Sequence, residues 1–182
     1  MATNVEIKAR VQDSDRLREL VEKLCDTPGE VLFQEDTFFH TPRGRLKLRT
    51  LAPDRGQLIY YEREDTSGPK PSNYYVSPTS DPDSLKTVLS AGLGVRGVVR
   101  KRRLVYVVGN TRIHIDEVEG LGSFLELEVV LRPGESLEAG TATATELVRK
   151  LGIQESDLIQ TAYIDLLESR GQHSKLATEN LP

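Results

Sequence analysis

Tryptophan is absent from this chain, phenylalanine occurs four times, and cysteine and methionine once each. With so few bulky aromatics, Leu, Val and Ile must pack the core. A single cysteine excludes an internal disulfide. Cys25 falls on an apolar helical stripe and is expected to be a buried core residue in a reducing, intracellular setting. No apolar run approaches the roughly 20 residues needed to span a bilayer. Met1–Arg10 lacks the apolar stretch of a signal peptide, so none is expected. The net charge of −4 argues against a general nucleic-acid binder, which is normally basic. Also missing are a Walker-type glycine-rich loop, a zinc-ligand cysteine pair and a nucleophile elbow. What remains is a cytoplasmic protein with no membrane or nucleic-acid partner. It is expected as a single domain over residues 1–169, with 170–182 as a flexible tail.

What the chain does have is charge in rows. Glu6, Lys8 and Arg10 alternate with Val5, Ile7 and Ala9. Arg45, Lys47 and Arg49 alternate with Leu46 and Leu48, and Lys101 and Arg103 share that spacing. Arg112, His114 and Asp116 alternate with Ile113 and Ile115, and Glu126 and Glu128 with Leu125, Leu127 and Val129. A strand puts i and i+2 on one face, so each run predicts a charged row backed by core. The full pattern predicts strands over 4–12, 31–40, 45–51, 57–65, 74–77, 98–108, 111–118 and 123–131. Helices are predicted over about 14–24, 81–91, 142–151 and 155–168, the first capped by Asp13 or Ser14. Asn110 can take a left-handed conformation where the turn at Gly109-Asn110 needs one. The order β-α-β-β-β-β-α-β-β-β-α-α describes a mostly antiparallel α+β protein.

On any one strand, a charged face is most simply a solvated face. Ionisable groups at consecutive positions of several strands point elsewhere. If the sheet curls, helices with apolar stripes cover the aliphatic face and the charge turns inward. Such a lumen is costly unless a charged guest compensates it. Glu6, Asp116, Glu126 and Glu128 are hard oxygen donors suited to Mg²⁺ or Mn²⁺. Lys8, Arg45, Lys47, Arg49, Arg63, Lys101, Arg103 and Arg112 carry more positive charge than one phosphate requires. A triphosphate is a reasonable match, and attack on its phosphoanhydride needs positioning and neutralisation more than covalent chemistry.

The segments Asn4-Val5-Glu6-Ile7-Lys8, Lys47-Leu48-Arg49, Lys101-Arg102-Arg103, Ile115-Asp116-Glu117-Val118 and Gly120-Leu121-Gly122-Ser123-Phe124-Leu125-Glu126-Leu127-Glu128, in this order, resemble the CYTH domain, or triphosphate tunnel metalloenzyme, family. The resemblance spans Val5 to Leu167. It implies a closed eight-stranded antiparallel β-barrel, the triphosphate tunnel, with flanking helices. It implies that Glu6, Asp116, Glu126 and Glu128 face metal and that Glu6, Glu126 and Glu128 take part in catalysis. Lys8, Lys47, Arg49, Lys101 and Arg103 would hold phosphate, with Arg63 and Arg112 in the same lining. Tyr163 matches a position near the closing helix. His114 shares the parity of Asp116 and can line the tunnel, with the part of a hydrogen-bonded spectator favoured. Asn4 stands where the family has its first glutamate, which removes a charge and a proton acceptor.

The leading expectation is therefore a Mg²⁺- or Mn²⁺-dependent triphosphate hydrolase acting on tripolyphosphate, ATP or thiamine triphosphate, as a monomer or homodimer. Class IV adenylyl cyclase chemistry is one alternative and a non-catalytic triphosphate-binding module another. A scaffold whose charged faces neutralise one another is a third. Phe33, Phe38, Phe39, Tyr60, Tyr61 and Tyr74 can stack on a base, with core packing as their default role. Glu126→Gln is expected to abolish turnover and to relieve like charge in the apo protein.

Overall fold

Alternation with a period of two becomes eight strands in the computed structural model, which describes residues 2–179, with side chains from Thr3 to Gly171. They are β1 (Ala2–Arg10), β2 (Glu30–Phe39), β3 (Arg45–Ala52), β4 (Arg55–Arg63), β5 (Lys70–Thr79), β6 (Val95–Val108), β7 (Thr111–Val118) and β8 (Gly122–Val130). All neighbours run antiparallel and close a barrel in the order β1-β5-β4-β3-β2-β6-β7-β8. β1 closes the cylinder, pairing with β5 on one side and β8 on the other. Closure pairs every strand on both sides, as the closed barrel expected from sequence requires, so the barrel presents no free edge for association.

Among the described residues there are also four α-helices: α1 (Ser14–Glu22), α2 (Pro82–Leu93), α3 (Leu137–Lys150) and α4 (Tyr163–Glu179). Asp13, Asp81 and Ser136 cap the first three, each accepting a backbone N–H in the first turn, and Pro82 opens α2 where its missing N–H costs nothing. The main core lies outside the barrel wall. Leu17 and Val21 of α1 and Leu147 of α3, with Leu151 just beyond it, pack on Ile7, Ile113, Ile115, Leu125 and Leu127. Gly140 lets α3 approach this closely, because a Cβ there would stand 2.6 Å from Leu131 and 2.9 Å from Val5. With the aliphatic face buried under helices, the charged face has only the lumen to occupy. At one end of the barrel Ala162, Tyr163 and Ile164 pack with Phe38, Val99, Val118 and Phe124 and close it.

The structure corrects several sequence expectations. β5 is ten residues long where a short strand at 74–77 was expected. Its prolines are tolerated because β1 pairs only with residues 70–74 and β4 only with 72–79. Pro71 and Pro78 each have a single neighbouring strand, so the missing N–H interrupts no second ladder. The helix expected over 155–168 is a single 3-10 turn at Glu155–Asp157, a bridge from Leu158 to Ala9, and then α4. Ile159 donates its N–H to the Lys8 carbonyl, so pairing with the barrel overrides local helix propensity. α4 continues through Glu179 into the segment read as a tail, of which residues 180–182 lie outside those described. The turn after β6 uses Gly109 at φ 59°. Asn110 is not left-handed; its amide donates to the Val130 carbonyl and to Glu135. Cys25 is only half-buried at the margin of the core.

Candidate active site

Strand register assembles the lumen. In β1, Glu6 faces Glu128 and Lys8 faces Glu126 across the ladder. In β7, Arg112 and His114 face the same two glutamates from the other side, and Asp116 faces Arg103 of β6. Across the barrel, Asp36 of β2 faces Arg49 of β3, and Gln34 faces Lys101. Directly opposed side chains lie about 4.5–5.5 Å apart at Cβ, close enough to interact strongly. They enclose a cavity of about 460 Å³, with Tyr163 and Ala162 at its closed end and Glu30, Arg55 and Val76 at its solvent-exposed rim.

The acidic side is held together unevenly. Glu126 accepts from Arg103 Nη2 at 2.5 Å and stands 3.5 Å from Lys8 Nζ. Burial alone would raise its carboxyl, but Lys8 and Arg103 outweigh burial and hold it well below the usual range. Glu128 accepts from Arg112 Nε at 2.8 Å. Glu6 has one partner, Arg63 Nη1 at 2.9 Å. Burial, then repulsion from Glu128 and Glu126, raises the Glu6 carboxyl against the pull of Arg63. A like-charge pair facing across a ladder is destabilising by itself.

The basic side is organised by Asp36, which is almost completely buried. Its two oxygens accept from Arg49 Nε at 2.8 Å, Arg49 Nη2 at 2.9 Å, Lys47 Nζ at 2.9 Å and Lys101 Nζ at 3.1 Å. Burial would raise its carboxyl; Arg49, Lys101 and Lys47 together hold it well below normal. For Lys101, burial outweighs Asp36, and with repulsion from Arg103, Arg49 and Lys47 brings the ammonium down to about 7. Beyond this cluster, Asp116 accepts from Arg103 Nε and Nη2 at 2.7 and 2.6 Å and from the Tyr163 hydroxyl at 2.9 Å. Lys8 Nζ sits 3.9 Å from the centre of the Tyr163 ring, a cation–π contact that fixes the lysine against the closed end.

Eight basic residues and five acidic ones line the cavity, an excess of three positive charges. Arg63 Nε and Nη2 are buried and make no hydrogen bond among the described residues, and neither do Asn4 Oδ1 and His114 Nδ1. Unmatched buried donors on one side favour an anion, while unmatched acceptors beside clustered carboxylates favour a cation. A carboxylate oxygen from each of Glu126 and Glu128 and a ring nitrogen of His114 lie within 4.8 Å of one another. The donor set therefore fits a divalent cation.

A family model described as the CYTH domain matches residues 2–163. The chain belongs to the CYTH domain family. A putative adenylate cyclase of Methanocaldococcus jannaschii is 27% identical over 177 residues, covering 89% of this chain and 97% of that protein. The adenylate cyclase CyaB of Aeromonas hydrophila is 28% identical over 191 residues, covering 98% and 94%. A solved structure from Pyrococcus horikoshii superposes with a TM-score of 0.80 at 26% identity, over 90% of this chain and 98% of that one. A putative adenylyl cyclase from Hippeastrum, described as having a dominant triphosphatase activity, has the same fold, with a TM-score of 0.65 at 15% identity over 93% and 96%.

Within this CYTH barrel, Glu6, Glu126 and Glu128 line the cavity, as do Lys8, Lys47, Arg49, Arg63, Lys101, Arg103 and Arg112. Asp116 does not; it stands behind Arg103, with both oxygens engaged. Arg10 lies over the Phe124 ring and donates to the Leu121 carbonyl, and Arg45 is tied to Asp65 and Asp165, both away from the cavity. His114 lines the cavity, one of the two parts expected for it, and its Nδ1 has no hydrogen-bond partner among the described residues. Of the six aromatics considered, Phe38, Tyr61 and Tyr74 line the cavity, whereas Phe33 is exposed on the outer wall. Sequence reasoning missed Asp36 and Gln34; the alternation Leu32, Gln34, Asp36, Phe38 carries their inward parity.

Proposed function

We propose that this protein is a divalent-cation-dependent triphosphatase that holds a linear triphosphate in the barrel and cleaves its terminal phosphoanhydride. The observation that carries this reading is the excess of three positive charges around a cavity open at one rim with a cluster of carboxylates on one wall. A triphosphate brings about four negative charges near neutral pH, which the basic excess and a divalent cation together more than offset. Lys47, Arg49, Lys101 and Arg103 would hold phosphate oxygens from one wall, and Lys8, Arg63 and Arg112 from the other. Glu126 and Glu128 would hold the cation, here Mg²⁺ or Mn²⁺, with Asn4 contributing a neutral oxygen. Bound there, a divalent cation supplies charge neutralisation at the phosphoryl oxygens. Asp116 is not a ligand in this reading; it positions Arg103.

Glu6 is the group best matched to accept a proton, because its raised carboxyl lies nearer to neutrality than the ion-paired Glu126, and a base is most effective when its pKa approaches the working pH. Water attacks the terminal phosphorus, the bridging P–O bond breaks, the water proton passes to Glu6, and orthophosphate and the shortened chain leave. Preorganised guanidinium and ammonium groups stabilise the charge that develops. A cytoplasmic monomer or homodimer fits this role.

A second reading is favoured by the relatives from Methanocaldococcus jannaschii and Aeromonas hydrophila, described as a putative adenylate cyclase and an adenylate cyclase. In it the ribose 3′-hydroxyl of ATP attacks the α-phosphorus and pyrophosphate leaves. Phosphorus NMR of the products from tripolyphosphate, ATP and thiamine triphosphate, each with Mg²⁺ or Mn²⁺, separates the two. Orthophosphate that disappears in Glu126→Gln supports the hydrolase and names its substrate. Cyclic AMP with pyrophosphate replaces it with the cyclase, and an unchanged spectrum with every substrate refutes both.

A further inference from the structure

Among the buried polar groups of the lumen, His114 stands apart. It is 4% exposed, lines the cavity, and is the only histidine among the cavity-lining residues. Its ring nitrogen Nδ1 makes no hydrogen bond among the described residues. An imidazole nitrogen buried this deeply ordinarily finds a partner, because leaving it without one costs its desolvation with no compensating bond. The groups nearest to it are carboxylates: Glu126 Oε2 at 3.8 Å and Glu128 Oε1 at 3.9 Å. Both separations are too long for a hydrogen bond. They suit ligands of a common ion, since two donors each about 2.1 Å from one cation lie roughly 3.0 Å apart at a right angle and 4.2 Å apart when opposed.

We propose that His114 is itself a cation ligand, completing with Glu126 and Glu128 a site of one nitrogen and two oxygens that takes a first-row transition dication such as Mn²⁺ in preference to Mg²⁺. The inference rests on the reading of Glu126 and Glu128 as cation-holding residues and adds to it a donor that changes which ion is chosen. Magnesium is a hard ion that keeps oxygen ligands and several waters. A neutral imidazole gives it little, whereas nitrogen donors strengthen binding along the first transition series. The ladder fixes the geometry: His114 faces Glu126 directly in the β7–β8 register, and Glu128 is the next inward residue on the same strand. Lys8 and Arg103 hold Glu126, and Arg112 holds Glu128, so each carboxylate is oriented by one wall and has an oxygen near His114. The substitution that tests this is His114→Gln, which keeps a polar group of similar reach and removes the ring nitrogen.

The experiment is pulsed electron paramagnetic resonance on the full-length protein loaded with Mn²⁺, reading spin-echo modulation from a directly bound imidazole ¹⁴N. The expected result is imidazole modulation in the unaltered protein that is absent from His114→Gln. Labelling the unaltered protein with ¹⁵N-histidine should move that modulation to ¹⁵N frequencies, so the ligand is detected even if the variant fails to fold. His40 and His173 remain in the variant and serve as the internal control. Competition titration should also show the preference for Mn²⁺ over Mg²⁺ falling at least tenfold in His114→Gln. Mn²⁺ that binds and is lost in Glu126→Gln, but shows no ¹⁴N modulation, overturns the proposal and leaves the proposed function standing. An unchanged Mn²⁺ to Mg²⁺ preference in a folded His114→Gln overturns it as well. Failure of the unaltered protein to bind Mn²⁺ at all overturns both.

Discussion

Asp36 offers a sharp test, because one buried carboxylate holds three cations at 2.8–3.1 Å. Asp36→Asn keeps the shape and removes the charge, leaving Lys47, Arg49 and Lys101 repelling one another. Breaking a buried ion pair by neutralising one partner costs about 3–5 kcal/mol. In a domain of this size each kcal/mol moves the melting midpoint by about 2–4 °C, so the apo variant should melt roughly 6–20 °C lower. The loss should be smaller above pH 8, because Lys101, already brought down to about 7, can shed its proton. Tripolyphosphate should reverse the effect, since its oxygens replace the missing carboxylate without competition from it. Thermal melts in EDTA, with and without tripolyphosphate, at pH 6.5 and 8.5 give all four numbers. An apo midpoint within about 2 °C of the unaltered protein, or an equal ligand-induced rise in both, refutes the view of Asp36 as the organiser of the basic wall.

Other expectations follow from the same lumen. Glu6→Gln should raise the apo melting midpoint by removing the carboxylate that faces Glu128, while abolishing turnover. Glu126→Gln, by contrast, should lower the midpoint, because Arg103 and Lys8 lose a partner; this reverses the stabilisation expected from sequence and is read in the same melts. Tyr163→Phe removes a buried bond to Asp116 and should cost about 1–3 kcal/mol in urea unfolding, with a larger fall in kcat than in substrate affinity if Arg103 loses its orientation. Unfolded, Lys101 titrates near 10.5; folded, at about 7. Between these values the unfolded chain binds the extra proton, so this contribution makes stability rise with pH from about 7 to 10.5, with its full cost present below 7. Lys101→Met should flatten that rise in urea midpoints taken from pH 6 to 10.

The lumen was readable because alternation and charge coincide: wherever Leu, Ile or Val repeats every second residue, the intervening ionisable groups must point the other way. That logic located Glu6, Lys8, Lys47, Arg49, Lys101, Arg103, Glu126 and Glu128 without knowledge of strand order. It failed at Asp36, a lone charge between Gln34 and Phe38, whose importance comes from the three cations that β3 and β6 bring to it. It also misjudged Asp116, since parity gives a side chain's direction but not whether Arg103 stands in front of it. β5 is longer than expected because Pro71 and Pro78 each face a single neighbouring strand, which only the barrel register shows. The last helix was placed too early because nothing in 155–162 signals that Ile159 will bond to Lys8 across the barrel. His114 illustrates the remaining limit: its position is legible in sequence, whereas its unpartnered nitrogen is a property of three strands together.

The most direct test of a polyanion site in the lumen is calorimetric titration of the full chain with tripolyphosphate at pH 7 in EDTA, comparing Arg49→Gln with the outer-face Arg100→Gln. The account predicts one binding event per chain, weakened at least tenfold by the first substitution and left unchanged by the second. No binding by the unaltered protein, or equal weakening by both substitutions, would contradict it.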